Sequence, residues 1–254
     1  MRVVFLGDSL TEGVPGATYL SLLTELVAVD PRLNGTELVN AGRGGDTVFN
    51  LARRVISDVV PVAPDWVVIF IGANDCTSAL RWRALPTPAV LRSRAYFTNQ
   101  KSLHWPVTPS RYTHGLRILV DAIRNRTSAR VAICTPAVVG ESSRSRAWRL
   151  LDRYADAARQ VAGERECALI DVHATFTRAV DELPSPPPVA RLSRGALSLL
   201  GGMPVGEYSH LLGFCLTVDG IHFSHTGALI MADLLHDWLL RVASEEPLPR
   251  RLNV

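Results

Sequence analysis

The 254-residue chain carries 27 Lys plus Arg against 24 Asp plus Glu, a formal net charge of only +3. The basic residues are almost all arginine, with Lys101 the sole lysine, and no Arg/Lys block is long enough to form a DNA-binding arm, so nucleic acid is not an expected partner. The length suits one large α/β domain, 1–254, and no apolar run approaches the ~20 residues of a membrane span.

Strand-like and helix-like stretches alternate along the chain, which predicts a parallel sheet covered on both faces. Arg2 to Leu6 reads as a buried strand that ends at once in Gly7-Asp8-Ser9-Leu10-Thr11-Glu12-Gly13. A helix follows from about Thr18 to Val29, with Tyr19, Leu22, Leu23 and Leu26 at helical spacing. Glu37 to Asn40 is a short second strand leading into the glycine-rich block Asn40-Ala41-Gly42-Arg43-Gly44-Gly45-Asp46-Thr47. Asp46 or Thr47 can cap the next helix, predicted to run to about Val60. Trp66-Val67-Val68-Ile69-Phe70-Ile71 is the clearest buried strand, and it delivers Gly72-Ala73-Asn74-Asp75.

Residues 76–108 break the alternation. Regular structure resumes with a helix near Ser110 to Arg126, a strand from Arg130 to Thr135, a helix over 146–162, a strand from Ala168 to Val172 and a helix to about Leu183. Pro184-Ser185-Pro186-Pro187-Pro188 is a stiff break before a leucine- and glycine-rich stretch, 189–215. Asp219-Gly220-Ile221-His222 precedes the last helix, His225 to about Ala243. The insertions near 76–108 and 184–215 lie next to Asn74 and Asp219, where they can form a lid and acyl pocket, extra scaffold or a dimer contact.

Ser9, Gly45 and Asn74 each follow a different strand at its carboxyl end, and in an open parallel sheet those ends converge on one crevice. Three positions separate Asp219 from His222, so both side chains can lie on one side of a turn, the carboxylate orienting the ring. The spacing by itself points to a Ser/Asp/His site. The four blocks together supply a Ser, a Gly, an Asn and a His in the order and context of the SGNH (GDSL) hydrolase family, which the sequence resembles. The resemblance implies a flavodoxin-like three-layer α/β/α sandwich with a parallel sheet of about five strands. It also implies roles: Ser9 as nucleophile, His222 as general base with Asp219 behind it, and an oxyanion hole of the Ser9 N–H, the Gly45 N–H and the Asn74 side chain. Asp8 and Asp75 read as hydrogen-bonding supports behind these groups. Phe223 follows the histidine where the family commonly has proline, a change expected to alter the pocket wall.

A serine hydrolase acting on a small-molecule ester or acyl substrate is the expectation that follows. An acyltransferase using the same serine differs only in the nucleophile that accepts the acyl group, and a binding protein on the same scaffold is a further alternative. No cofactor is expected. Gly42 to Gly45 lacks the lysine of a P-loop, and His222 with His225 has no further ligand cluster, so metal is not expected. His104, His114, His173, His210 and His236 read as scattered surface or partly buried residues. Cys134 and Cys167 read as buried free thiols, and Cys76 and Cys215, although each near a site block, are expected to stay reduced. With no leader or membrane span visible, the expected location is cytoplasmic. Oligomeric state has no signature in the pattern.

Overall fold

Every residue of Trp66–Phe70, and every residue after the first arginine of Arg2–Gly7 and Arg130–Cys134, is buried, because both faces of the sheet are covered by helices. The computed structural model describes residues 1–14, 16–84, 106–183 and 213–245. Its five strands are β1 (Arg2–Gly7), β2 (Glu37–Gly42), β3 (Trp66–Phe70), β4 (Arg130–Cys134) and β5 (Ala168–Ile170). They pair in parallel in the order β2-β1-β3-β4-β5, the doubly wound flavodoxin-like order. This is the three-layer α/β/α architecture that the alternation and the resemblance imply.

The period of two along each strand sorts side chains onto two cores. Val3 and Phe5 of β1, Trp66, Val68 and Phe70 of β3, and Ala132 and Cys134 of β4 face one layer. Val4 and Leu6, Val67 and Ile69, and Val131 and Ile133 face the other. The first layer is covered by α2 (Tyr19–Val29), α8 (Val172–Asp181) and α9 (His225–Ser244). The second is covered by α3 (Val48–Arg53), α6 (Pro109–Arg124) and α7 (Arg146–Glu164). Between these lie α1 (Ser9–Glu12), α4 (Val55–Asp58) and α5 (Ala73–Ala84).

Two expectations need correcting. The helix expected to run unbroken to about Val60 is divided into α3, α4 and a 3-10 turn at Val60–Val62. The break falls at Arg54, whose guanidinium is drawn inward to donate to the carbonyls of Ala41 and Gly7, both at 2.7 Å, and to the carboxylates of Asp46 and Asp58. Pro61 lies within the 3-10 turn, where it cannot donate a backbone hydrogen bond. In addition, the stretch from 76 does not leave regular structure at once, because α5 carries on from Asn74 to Ala84. Apart from 76–84, 106–108 and 213–215, the two segments expected to form a lid lie outside the described residues.

The strand register sets Gly7 level with Gly42 on one side and Phe70 on the other. The turns that follow these three residues therefore leave the sheet side by side. They are packed against one another at backbone distance: a Cβ on Gly42 would sit 2.1 Å from the Glu12 nitrogen and 2.6 Å from the Thr11 carbonyl carbon. Only hydrogen fits there. Replacing Gly42 with alanine is accordingly expected to destabilise the fold by roughly 1–3 kcal/mol through forced displacement of α1, read as a lowered urea midpoint with an unchanged slope.

Candidate active site

Ser9 is the first residue of α1, immediately after β1. Asp8 caps that short helix, its Oδ1 accepting from the Leu10 N–H at 3.0 Å. The cap fixes the direction in which the chain leaves the strand, and with it the direction of the Ser9 side chain. Ser9 Oγ lies 2.8 Å from His222 Nε2, and His222 Nδ1 lies 2.9 Å from Asp219 Oδ2. Asp219 Oδ1 accepts from the backbone N–H groups of Ile221 at 3.0 Å and His222 at 2.9 Å. An ionised carboxylate can only accept, so the proton between Asp219 and the ring sits on Nδ1 and leaves Nε2 to accept from the Ser9 hydroxyl. Burial pushes Asp219 up, but the bond from the His222 ring, the pull of that ring and the two N–H donors outweigh it and hold the carboxyl below its ordinary 3.8. Ser9 and His222 are each only 9% exposed, so the bond between them is largely shielded from bulk water.

Gly45 belongs to the turn after β2. It adopts φ +82°, a left-handed conformation that favours glycine, and no described heavy atom lies within 4 Å of the place where a Cβ would be. The turn is held against Ser9 from below: the Gly44 N–H donates to Glu12 Oε2 at 2.7 Å, and a Cβ on Gly44 would lie 3.8 Å from Ser9 Cβ. Asn74 stands in the first turn of α5. Its amide donates to the Asp46 carbonyl at 3.0 Å and to Asp8 Oδ2 at 3.2 Å. One side chain thus joins the turns that follow β1, β2 and β3.

Asp8 and Asp75, the two residues expected to act as hydrogen-bonding supports, are both more deeply buried than a loop hydrogen-bonder would be, at 1% and 0% exposure. Asp75 Oδ1 accepts from the Val48 N–H at 3.2 Å, which fixes the start of α3, while its Oδ2 has no partner among the described residues. Burial pushes Asp75 up to about 8 and Asp8 up to about 7. The Leu10 N–H and the nearby His222 side chain oppose the shift at Asp8.

Two residues escaped the sequence reading. Glu12 and Arg54 both hold the glycine-rich turn, the first through the Gly44 N–H and the second through Asp46 and the Ala41 carbonyl. Glu12 lies inside the block that holds Ser9, so its position was a usable signal. Arg54 sits among ordinary helix-surface residues, and nothing in its spacing marks a buried guanidinium. His173 also differs from expectation: it is buried, with Nε2 2.8 Å from Asp152 Oδ1 and its ring against Trp148. Cys167 is half-buried rather than buried, and all four cysteines are free. Among the described residues, no cluster of three or more His, Cys, Asp or Glu side chains could hold a metal ion, and no helix is long and apolar enough to cross a membrane.

Residues 5–195 match the model of the GDSL-like lipase/acylhydrolase family. An acetylxylan esterase of Geobacillus stearothermophilus is 28% identical over 195 residues, which span 72% of this chain and 80% of that protein. The crystal structure of the acetylxylan esterase Axe2 from the same organism superposes with a TM-score of 0.63 at 25% identity, covering 98% of this chain and 97% of that one. An acetyl xylan esterase at 21% identity, with a TM-score of 0.64 over 94% of this chain and 99% of its own, shares the fold. The solved catalytic mutants of Axe2 replace one serine, one aspartate and one histidine, and its aspartate and histidine are three positions apart.

The raised carboxyl of Asp75 sets a pH dependence. The folded state holds its proton up to about pH 8, whereas the free side chain loses it near 3.8. Between those values the folded state binds more protons than the unfolded one, so the stability contributed below pH 4 is lost as pH rises through 8. Asp75→Asn, which stays neutral throughout, is expected to lessen the decline in unfolding free energy between pH 4 and pH 8 and leave the part due to Asp8, measured by urea titration at a series of pH values.

Proposed function

Because the chain belongs to the GDSL-like lipase/acylhydrolase family, we propose that it is a serine esterase in which Ser9 is acylated, with His222 and Asp219 as the acid–base pair. The observation that carries this reading is the unbroken chain from Ser9 Oγ to His222 Nε2 at 2.8 Å and from His222 Nδ1 to Asp219 at 2.9 Å. Nucleophile, base and orienting carboxylate each stand within hydrogen-bond reach of the next. The equivalent trio of residue types in the catalytic mutants of Axe2 supports the assignment.

The reaction proceeds in two halves. Ser9 Oγ attacks the ester carbonyl carbon as its proton passes to His222 Nε2, and the carbonyl oxygen becomes an oxyanion. The imidazolium so formed is stabilised by Asp219, which stays ionised. His222 then gives the proton to the departing alkoxide, leaving the acyl group on Ser9. Water, deprotonated by His222, repeats the attack and frees the acid. The oxyanion is received by the N–H groups of Ser9 and Gly45 and by the Asn74 amide, which gives up the longer of its two bonds, the 3.2 Å contact with Asp8. The left-handed turn at Gly45 keeps that approach clear of any side chain.

The substrate class we infer is a short acyl ester of a carbohydrate, on the strength of the acetylxylan esterases to which the chain is similar. A p-nitrophenyl ester series from acetyl to palmitoyl, together with acetylated xylooligosaccharides, tests both parts. Turnover is expected to be greatest on acetyl esters. Ser9→Ala is expected to lower it by roughly 10⁴-fold or more, and Asn74→Ala by about 10²–10³-fold in kcat. An optimum at long acyl chains would contradict the substrate class. Release of acyl product only when an alcohol or sugar is added would identify a transferase.

A further inference from the structure

Ser9, Gly45 and Asn74 are carried by turns that leave the sheet, but Asp219 and His222 are not. They sit on a loop, 215–224, that belongs to no strand of the sheet and closes on itself. Thr217 and Phe223 form an antiparallel bridge, the Val218 N–H donates to the His222 carbonyl at 2.8 Å, and the Ser224 N–H donates to the Leu216 carbonyl at 2.9 Å. Such a loop fixes its own shape. It does not by itself fix where the His222 ring stands relative to Ser9, and a misplacement of about 1 Å would break the 2.8 Å bond between them.

At its far end the loop is anchored through Phe223, whose carbonyl accepts from the Ala17 N–H at 3.0 Å and whose ring packs on Phe70 and Phe176; at its near end the anchor is Glu141, from the turn after β4. Its side chain is buried, with the residue only 5% exposed, yet the loop satisfies it with four uncharged donors. Oε2 accepts from the Cys215 N–H at 2.8 Å, and Oε1 accepts from the Leu216 N–H at 2.9 Å, the Thr217 N–H at 2.6 Å and the Thr217 hydroxyl at 2.6 Å. The Thr217 hydroxyl in turn accepts from the Gly220 N–H at 3.1 Å. The Gly220 carbonyl accepts from the Gly140 N–H at 2.6 Å. Gly220 lies between Asp219 and His222, and it is therefore held on both sides from one turn: its N–H through Thr217 to Glu141, its carbonyl directly by the neighbour of Glu141.

A buried carboxylate is costly to retain unless every lone pair is met. Here the donors that meet it are the backbone of the one loop whose position the chemistry requires. We propose that Glu141 is a positioning residue for the reaction, acting through Thr217 and Gly220 to hold the Asp219–His222 pair against Ser9. This rests on the serine-esterase reading of the same site. All four contacts are donors, so a carboxylate fits where an amide does not. Glu141→Gln would turn an N–H₂ group toward an N–H or O–H donor. Thr217→Val removes the hydroxyl relay while leaving a side chain of similar shape, and Thr217→Ser keeps the relay.

The test is made on the full-length protein with p-nitrophenyl acetate, following kcat and KM separately, and with amide hydrogen exchange over 215–224. Glu141→Gln and Thr217→Val are expected to lower kcat by roughly 10- to 100-fold with KM within about twofold of wild type, and to speed exchange at Val218, Gly220 and Ser224 while the strands keep their protection. Thr217→Ser is expected to restore kcat to within about threefold of wild type, a result that follows only if the hydroxyl is what matters. Should Glu141→Gln fail to fold, the Thr217 pair carries the same comparison. Unchanged kcat in a folded variant, or faster exchange without a loss of kcat, would overturn the proposal. Ser9→Ala run in parallel separates the two ideas. A wild-type rate in Ser9→Ala would remove the serine mechanism and the catalytic role of Glu141 together. An inactive Ser9→Ala beside a fully active Glu141→Gln would remove only the role of Glu141.

Discussion

The 2.8 Å contact between Ser9 Oγ and His222 Nε2 joins residues 213 positions apart, and much of the molecule exists to maintain it. One partner is fixed by the parallel sheet. All strands run the same way, so the turns after β1, β2 and β3 leave at one edge, and register places Gly7, Gly42 and Phe70 level there. Close backbone contact between the first two turns and the Asn74 amide bridging to Asp8 and Asp46 make a single rigid platform of three separate stretches of sequence. The other partner arrives from outside the sheet, on a loop shaped by its own backbone bonds and tied to the turn after β4.

The carboxyl groups around this contact are divided by their surroundings. Asp219 is buried but receives three donors, and it stays below the ordinary carboxylate range. Asp75 is buried with a single backbone donor and is pushed up to about 8. Asp8 lies between them: burial raises it to about 7, against the pull of the Leu10 N–H and the nearby His222 side chain. Burial raises all three, and the charge of Asp8 raises Asp75 further; only at Asp219 do the donors and the neighbouring ring outweigh burial. It leaves one charged carboxylate, Asp219, against the His222 ring, and carboxyls of weaker charge at Asp8 and Asp75.

Much of this was legible in the sequence, for identifiable reasons. The continuous apolar runs of β1 and β3 specify strands buried on both faces, and the alternation with helices specifies a parallel sheet. Ser9, Asp219 and His222 stood out by their place at a strand end and beside the last helix, whereas Gly45 and Asn74 stood out because their blocks resemble those of the SGNH (GDSL) hydrolase family. What could not be read were the groups that act at long range. Arg54 breaks the helix expected over 47–60 because its guanidinium satisfies carbonyls of two strands, Gly7 and Ala41, which no local pattern encodes. Glu141 looks like any surface glutamate in a turn, since its four donors lie 74 to 76 positions away. His173 read as a scattered histidine for the same reason: its partner Asp152 is on another helix. Propensity and periodicity report neighbours along the chain, whereas these residues are defined by neighbours across it.

The central claim is that Ser9 forms the covalent bond with substrate. The most direct measurement is peptide-mapped mass spectrometry of the protein after reaction with a fluorophosphonate, which traps an activated serine by forming a phosphorus–oxygen bond with loss of fluoride. One adduct per chain, on Ser9, and none in His222→Ala is the result predicted, because the hydroxyl reacts only when Nε2 takes its proton. Labelling at another serine, or labelling of Ser9 that persists undiminished in His222→Ala, would contradict the account.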